Sequence, residues 1–190
     1  LEHPELWGGI IDLDAHVSVS DAETILKEVL NSEGEDQVGF RGEHRYVARL
    51  GRNKLPETHP VAIHSDATYL ITGGLGGLGL KVARWLVDRG ARHLVLIGRR
   101  GVTQSTQQQV VKHLEESGAT VFIAQADVAD EVEVNTVFEH LKSSLPPLKG
   151  VVHAAGVTAY QTIDEVDLTT LQNVLRPKVQ GTFILFRQVM

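Results

Sequence analysis

The segment from Thr72 to Gly79 constrains the fold of this chain more than any other. It follows the apolar run 69–71 directly, and a helix-like stretch begins at Leu78. Its glycines fit two spacings, Gly-x-Gly-x-x-Gly and Thr-Gly-x-x-x-Gly-x-Gly, which permit a tight turn and a close approach of the backbone to a ligand. Unless these glycines serve turn geometry alone, the helix N-terminus should bind the pyrophosphate of a dinucleotide. The candidate cofactor-binding residues are Thr72, Gly73, Gly74, Leu75, Gly76, Gly77, Leu78 and Gly79.

Strand-like and helix-like stretches alternate after residue 67 and indicate the fold class. The predicted strands are 68–72, 93–97, 120–124 and 150–153, and the predicted helices between them are 78–89, 107–117 and 130–141. Short apolar strands that alternate with helices are typical of a parallel sheet built by right-handed crossovers. We therefore predict an α/β fold with a Rossmann-like, doubly wound parallel sheet. Two further helices, 167–176 and 178–190, flank Pro177, which either begins the second helix or marks a kink.

The end of the second strand in this sheet indicates which nicotinamide cofactor would bind. An acidic side chain at this place holds the unphosphorylated ribose in NAD-dependent folds. Here the strand is followed by Arg99 and Arg100, whose guanidinium groups suit bidentate contacts with a phosphate. The 2′-phosphate of NADP(H) is the predicted ligand, with Arg99 as the more direct contact. The alternative is an ordinary pair of solvated surface arginines.

Two further loops should complete the crevice, because open α/β sheets bind ligands at the carboxyl ends of their strands. Asp127 and Val128 follow the third strand and are candidates for contact with adenine. The loop after the fourth strand has small residues that would admit the nicotinamide half of the cofactor. Each loop could equally be an ordinary strand-to-helix turn. The candidates in the fourth loop are His153, Ala154, Ala155 and Gly156.

The residues before the sheet carry no catalytic pattern. Residues 7–13 are predicted as a strand, and residues 37–40 and 44–50 as a hairpin around Gly42. Ser20 and Glu23 have the spacing of a capping box, which would begin a helix that ends near Leu30. The polar stretch 53–66 contains two prolines and no apolar period, which indicates a linker between two units.

Composition excludes several classes of function. The net charge of −6 does not favour binding to nucleic acid or to an anionic membrane. No apolar run approaches the roughly 20 residues of a membrane helix, so a soluble, cytoplasmic protein is expected. The chain has no cysteine, which excludes disulfides and thiolate chemistry. Its nine histidines lack a His-Glu-x-x-His spacing, and no metal site is predicted.

Together these segments resemble the ketoreductase domain of modular polyketide synthases, a branch of the short-chain dehydrogenase/reductase superfamily. The matching stretches are 70–79, 94–101, 150–157 and 175–181. Residues 7–13 and 35–41 resemble the end of the catalytically inert structural subdomain that precedes the reductase half in that family. The resemblance implies three parts: residues 1–56 from the structural subdomain, a linker at 57–67, and an NADP(H)-binding catalytic subdomain at 68–190.

The resemblance also implies an activity, the NADPH-dependent reduction of a β-ketoacyl thioester on an acyl carrier protein to the β-hydroxyacyl thioester. The implied partners are that carrier, with its phosphopantetheine-tethered acyl chain, and other domains of the same synthase. In the family a Tyr and a Ser act on the carbonyl oxygen, and a Lys, matched here by Lys178, holds the nicotinamide ribose. The Ser and Tyr segments would follow Met190, and position 1 is Leu. The chain is therefore expected to be a catalytic fragment that is inactive alone.

Other functions stay open at this point. A reductase-like structural or scaffold domain, or a fragment that only binds NADP(H), would carry the same glycine turn. A free-standing short-chain dehydrogenase that acts on a small alcohol is disfavoured by the N-terminal segment. It is also disfavoured because no tyrosine lies four residues before a lysine.

Overall fold

The computed structural model describes residues 6–16, 18–31, 33–52 and 61–190. The chain divides into two compact units, Leu1–His59 and Pro60–Met190. The linker predicted at 57–67 lies partly outside the described residues, and the three-part division stays a prediction. Among the described helices, none is both long enough and apolar enough to cross a membrane.

The first unit is a three-stranded sheet with one helix. Its elements are β1 (Ile10–Asp12), α1 (Ser20–Leu30), β2 (Gln37–Arg41) and β3 (His44–Val47). The central strand β2 pairs parallel with β1 and antiparallel with β3. Gly42, between β2 and β3, has a φ of +58°, a left-handed conformation that favours glycine. The predicted hairpin is therefore confirmed, although β3 ends before the expected position.

The capping box predicted at Ser20 is wrong. Ser20 is already the first residue of α1, and the preceding Val19 makes no side-chain cap. Instead, the Asp21 carboxylate accepts hydrogen bonds from the backbone N–H of Ser18 at 2.7 Å and from its hydroxyl at 3.1 Å. Short polar side chains compete in this way for nearby backbone groups. This local bond, rather than the Ser-to-Glu spacing, accompanies the start of the helix.

The second unit confirms the predicted Rossmann-like α/β fold. Its four parallel strands lie in the order β6-β5-β4-β7. Along the chain, β5 and β6 therefore add to one side of β4, and β7 then adds to the other side. Doubly wound sheets bind ligands at such a reversal, outside the carboxyl ends of the strands. The elements are β4 (Thr68–Thr72), α2 (Gly77–Asp88), β5 (His93–Gly98), α3 (Ser105–Glu116), β6 (Thr120–Gln125), α4 (Glu131–Ser144), β7 (Leu148–His153) and α5 (Leu168–Val189).

Two apolar cores cover the two faces of this sheet. Because side chains alternate along a strand, Tyr69 and Ile71 face the core shared with α2 and α3, whereas Leu70 faces the core shared with α4 and α5. All five residues of β4 are buried, as expected for a central strand of a parallel sheet. Burial on both faces sets the register of β4 and therefore the place where the glycine turn begins.

The last helix differs from the prediction of two pieces. Residues 168–189 form one helix, with Pro177 inside it. Proline has no N–H for the carbonyl four residues earlier and weakens a helix at that turn. The next turn is held by packing, because Gly181, Ile184 and Leu185 are buried. A β-carbon at Gly181 would lie 2.9 Å from a methyl group of Val128, so glycine lets α5 approach the loop after β6 and continue through the proline.

Asp167 caps α5, the helix that carries Lys178. Its carboxylate accepts a 2.6 Å hydrogen bond from the backbone N–H of Thr170, and this bond holds the pKa of the carboxyl below its usual value. A lowered folded-state pKa stabilises the fold fully above the unfolded-state pKa, and that stabilisation is lost as the pH falls through the folded-state value. Asp167→Ala is therefore expected to lower the melting temperature at neutral pH and to have less effect in acid. Thermal denaturation checks this against the exposed Asp164→Ala, and equal losses in both variants would contradict it.

Candidate functional site

The glycine turn between β4 and α2 has three positions where only glycine fits, because a β-carbon at Gly73, Gly74 or Gly79 would lie under 3.0 Å from backbone atoms. Gly73 has a φ of +63°, and a β-carbon there would lie 2.6 Å from the carbonyl oxygen of Ala154. A β-carbon at Gly79 would lie well inside 3.0 Å of the carbonyl oxygen of Gly73. A β-carbon at Gly74 would lie 2.8 Å from the carbonyl oxygen of Ile71. In each case the obstacle is backbone, which cannot move aside as a side chain can. These three glycines are therefore required by packing, whether or not a ligand binds.

Gly77 is different, because no neighbouring atom requires glycine there. It is the exposed first residue of α2, and its φ is not in the left-handed region. Apart from its chain neighbours and the backbone of its own helix, a β-carbon at this position would meet no described atom within 4 Å. The missing side chain leaves the start of the helix open to an approaching ligand.

The N-terminus of α2 also lacks the caps of its neighbours in the second unit. Its N-cap, Gly76, has no side chain, and the first turn has no acidic residue. At α4 and α5, Asp130 and Asp167 accept backbone N–H groups, and at α3 a Gln104–Gln107 capping box does so. The first N–H groups of a helix have no partner within the helix, and the helix dipole adds positive potential. The start of α2 is therefore suited to an anion.

A cavity of about 510 Å³ opens at the carboxyl ends of the four strands. Its volume falls in the range of about 300–1,000 Å³ that is usual for cofactor pockets. Each of the four predicted loops contributes to its lining, as the order of the strands requires. The predicted residues in the lining are Gly73 after β4, Arg99 after β5, Asp127 and Val128 after β6, and Ala155 and Gly156 after β7.

The other predicted residues surround the cavity without lining it. Those inside the turn are buried, and those at the start of α2 are exposed. Their direct contact with a cofactor stays a prediction. The buried set is Thr72, Gly74, Leu75 and Gly79, the exposed set is Gly76, Gly77, Leu78 and Arg100, and His153 and Ala154 are half-buried.

Arg99 and Arg100 place two positive charges after β5. Neither guanidinium has a hydrogen bond or an ion pair with the described part of the chain. Arg99 lines the cavity, whereas Arg100 does not. An unpaired guanidinium at a cavity can take a phosphate with two parallel hydrogen bonds. This placement supports Arg99 as the more direct of the two predicted contacts.

One wall of the cavity, which no sequence pattern predicted, is formed by α5, with Asn173, Arg176 and Pro177 in its lining. Arg176 lies 3.8 Å from the carboxylate of Asp127, whose other oxygen accepts the backbone N–H of Ala129 at 3.0 Å. The ion pair is half-exposed, so its main effect is to orient Asp127 rather than to stabilise the fold. The i, i+3 spacing puts Asn173 and Arg176 on one helix face, but no local pattern indicates that this face meets the loop after β6.

Lys178, the predicted catalytic residue, reaches the rim of the cavity from α5. Its ammonium Nζ donates a hydrogen bond of 3.3 Å to the carbonyl oxygen of Val157. Its Cε lies 3.7 Å from where a β-carbon of Gly156 would be. Gly156 and Val157 both line the cavity, so the ammonium lies beside the loop predicted to receive the nicotinamide half. The catalytic role of Lys178 stays a prediction.

Sequence comparison finds relatives of this chain among much longer synthases. A 5-methyl-1-naphthoate synthase of Streptomyces sahachiroi is 36% identical over 199 residues, which cover 98% of this chain and 11% of that protein. The pikromycin polyketide synthase component PikAIII of Streptomyces venezuelae is 34% identical over 186 residues, which cover 97% of this chain and 12% of that protein. The chain therefore spans only about a tenth of the length of these curated relatives.

Solved structures and a family description lead to the same family. An A-type ketoreductase structure from a modular polyketide synthase is 33% identical with a TM-score of 0.77, covering 100% of this chain and 40% of that one. The PlmKR1 ketoreductase of phoslactomycin biosynthesis from Streptomyces sp. HK803 is 31% identical with a TM-score of 0.76, covering 100% of this chain and 44% of that one. The family described as KR domain matches residues 67–189. The resemblance is confirmed: this chain belongs to the KR domain family, the ketoreductases of modular polyketide synthases within the short-chain dehydrogenase/reductase superfamily.

Proposed function

We propose that this chain binds NADP(H) in a ketoreductase that converts a β-ketoacyl thioester into the β-hydroxyacyl thioester during polyketide biosynthesis. The observation that carries the proposal is the uncapped start of α2 at the same sheet edge as a cavity lined by Arg99, whose guanidinium has no partner among the described residues. NADP(H) has two anionic groups, the pyrophosphate and the 2′-phosphate on the ribose. It therefore needs two places on the protein that favour negative charge. Membership of the KR domain family supports the reduction itself.

The residues present fit this cofactor. The first N–H groups of α2, left open by Gly77, would hold the pyrophosphate. Arg99, assisted by Arg100, would hold the 2′-phosphate, and Asp127 with Val128 would lie against the adenine. When bound, NADPH supplies a hydride for the carbonyl carbon while the carbonyl oxygen takes a proton, which leaves NADP⁺ and the alcohol.

Lys178 supplies positive charge beside the loop after β7. As hydride adds to a carbonyl carbon, negative charge grows on the oxygen, and a nearby ammonium lowers the free energy of that charge. It also favours the ionised form of an adjacent proton donor. The proposed role of Lys178 is therefore to hold the nicotinamide ribose and to stabilise these anionic groups, with its hydrogen bond to Val157 orienting the side chain.

The proposed substrate is an acyl chain on the phosphopantetheine arm of an acyl carrier protein, and other domains of the synthase are further partners. The great length of relatives such as PikAIII, of which this chain covers 12%, supports a multidomain setting. Neither a nucleic acid nor a membrane is proposed as a partner, because the chain carries a net charge of −6.

Arg99→Ala is expected to weaken NADPH binding by about tenfold to a hundredfold, the loss of one or two charged hydrogen bonds. NADH lacks the 2′-phosphate, so its affinity should be unchanged. Titration of both nucleotides against wild type and variant checks this. The control is Arg84→Ala, which removes an exposed arginine of α2 that does not line the cavity. Equal affinities of the wild type for NADPH and NADH would overturn the cofactor assignment.

The reaction is tested with the natural polypeptide, NADPH and a β-ketoacyl N-acetylcysteamine thioester. Consumption of NADPH with formation of the β-hydroxyacyl thioester is expected. If NADPH binds but neither free nor carrier-bound thioesters are reduced, the reductase proposal fails and a structural or scaffold role replaces it.

A further inference from the structure

His153 lies at the end of β7 with both ring nitrogens engaged by the protein. Its Nδ1 is 2.6 Å from the hydroxyl of Thr72, and its Nε2 is 3.0 Å from the carbonyl oxygen of Pro177. The Thr72 hydroxyl oxygen also accepts the backbone N–H of Ala155 at 3.2 Å. One half-buried side chain therefore joins the ends of two neighbouring strands, β4 and β7, to α5.

The chemistry of the partners determines the tautomer of the ring. A carbonyl oxygen can only accept, so the nitrogen that faces Pro177 must carry the proton. The other nitrogen of the neutral ring is then an acceptor, and the Thr72 hydroxyl donates to it while accepting from Ala155. In this arrangement every donor has an acceptor, and the Nδ1–H tautomer would leave the Pro177 contact without a proton.

The hydrogen bond from His153 reaches α5 at the residue before Lys178. Pro177 immediately precedes Lys178 and lies where the helix lacks an internal hydrogen bond. At such a turn the direction of the next residue depends on contacts from outside the helix. The Nε2–H of His153 supplies one of them, 3.0 Å from the Pro177 carbonyl oxygen.

We propose that His153 is a positioning residue that holds the proline turn of α5 and thereby orients Lys178 toward the loop after β7. This inference rests on the proposed function for its catalytic consequence. It revises the role predicted for His153: the ring acts through Pro177, because neither of its nitrogens is free for a cofactor.

Two substitutions separate the two hydrogen bonds. The amide nitrogen of His153→Gln lies near the place of Nε2 and can still donate to Pro177, whereas the amide of His153→Asn reaches only as far as Nδ1. In the natural polypeptide, His153→Asn is expected to lower kcat by about fivefold to tenfold, the effect of one lost hydrogen bond, and His153→Gln should stay near wild type. In combination with Lys178→Met, His153→Asn should cause no further loss, because both changes act on one group.

The kinetics of the variants and the NMR spectrum of the wild type test the positioning role separately. Equal losses in the Gln and Asn variants, or losses by His153→Asn and Lys178→Met that multiply, would overturn the positioning role. Nitrogen-15 NMR of the histidine rings of the wild-type chain gives a readout that depends on neither variant folding nor activity. An Nε2–H tautomer of His153 is expected, and an Nδ1–H tautomer would overturn the inference. A wild type that shows the expected tautomer but does not bind NADPH would refute the proposed function instead.

Discussion

Gly79→Ala is expected to destabilise the second unit by about 1–3 kcal/mol, as overpacking of a filled interior does, and to abolish NADPH binding. The new β-carbon would lie 2.7 Å from the Cα of Gly74 and closer still to the carbonyl oxygen of Gly73. Both obstacles are backbone atoms of the turn itself, so the turn must open. The start of α2 then loses the geometry on which anion binding depends.

Gly77→Ala is the matched variant, because it adds the same methyl group where no described atom outside its chain neighbours and its own helix backbone lies within 4 Å. Its stability should be unchanged or higher by up to about 1 kcal/mol, since alanine restricts the unfolded chain and favours helix. NADPH binding should still weaken by about tenfold or more, because the methyl group would stand where the pyrophosphate approaches the helix.

Urea denaturation and NADPH titration on the same samples measure both effects. Binding of NADPH by Gly77→Ala with wild-type affinity would contradict the proposed place of the pyrophosphate. A Gly79→Ala protein with the wild-type unfolding midpoint would contradict the steric explanation of that glycine.

Lys178→Met in the natural polypeptide is expected to lower kcat for thioester reduction by about a hundredfold or more, in the range usual for groups that assist proton transfer. Methionine keeps most of the side-chain length and removes the charge. The ammonium would then no longer stabilise negative charge at the rim of the cavity, where it now lies 3.3 Å from the Val157 carbonyl oxygen. NADPH oxidation under saturating substrate measures the effect.

The control for this variant is Lys112→Met, which removes an exposed lysine of α3 whose nearest acidic partner is Glu116 at 3.7 Å. Its kcat should equal that of the wild type. If Lys178→Met retained kcat within about threefold, its role would be that of an ordinary surface lysine, whose removal changes little.

The predicted elements of the second unit match the structure closely where the sequence is locally unambiguous. Strand β4 was predicted at 68–72 and has those bounds, because the apolar run 69–71, with a threonine on each side, ends at the glycine turn. Helix α3 begins at Ser105, whereas its start was predicted at 107. There Gln104 and Gln107 form the capping box, and glutamine is not a residue that usually signals an N-cap.

The residues that line the cavity were predictable only in part. The four loops follow from the strand order, since the carboxyl ends of parallel strands meet at one edge. The wall formed by α5 does not follow, because contacts such as Arg176 with Asp127 depend on how a long helix crosses the sheet. The small side chain of Gly181 sets that crossing, and its effect is visible only once Val128 is in place.

The glycine turn shows most clearly which properties follow from the sequence and which depend on the tertiary structure. The sequence by itself determined that a tight turn joins a buried strand to a helix and that two arginines follow the next strand, because these properties depend on local backbone preference and on order along the chain. Only the tertiary structure decided that Gly73 and Gly79 are required by packing while Gly77 is not. It also decided that His153 faces Thr72 and Pro177. The reason is physical: the contacts of Gly73 with Ala154 and of His153 with its partners join residues distant in sequence, and their distances are set by the packing of the sheet and helices. The approach of Gly79 to Gly73 is short in sequence, but it depends on the three-dimensional path of the turn.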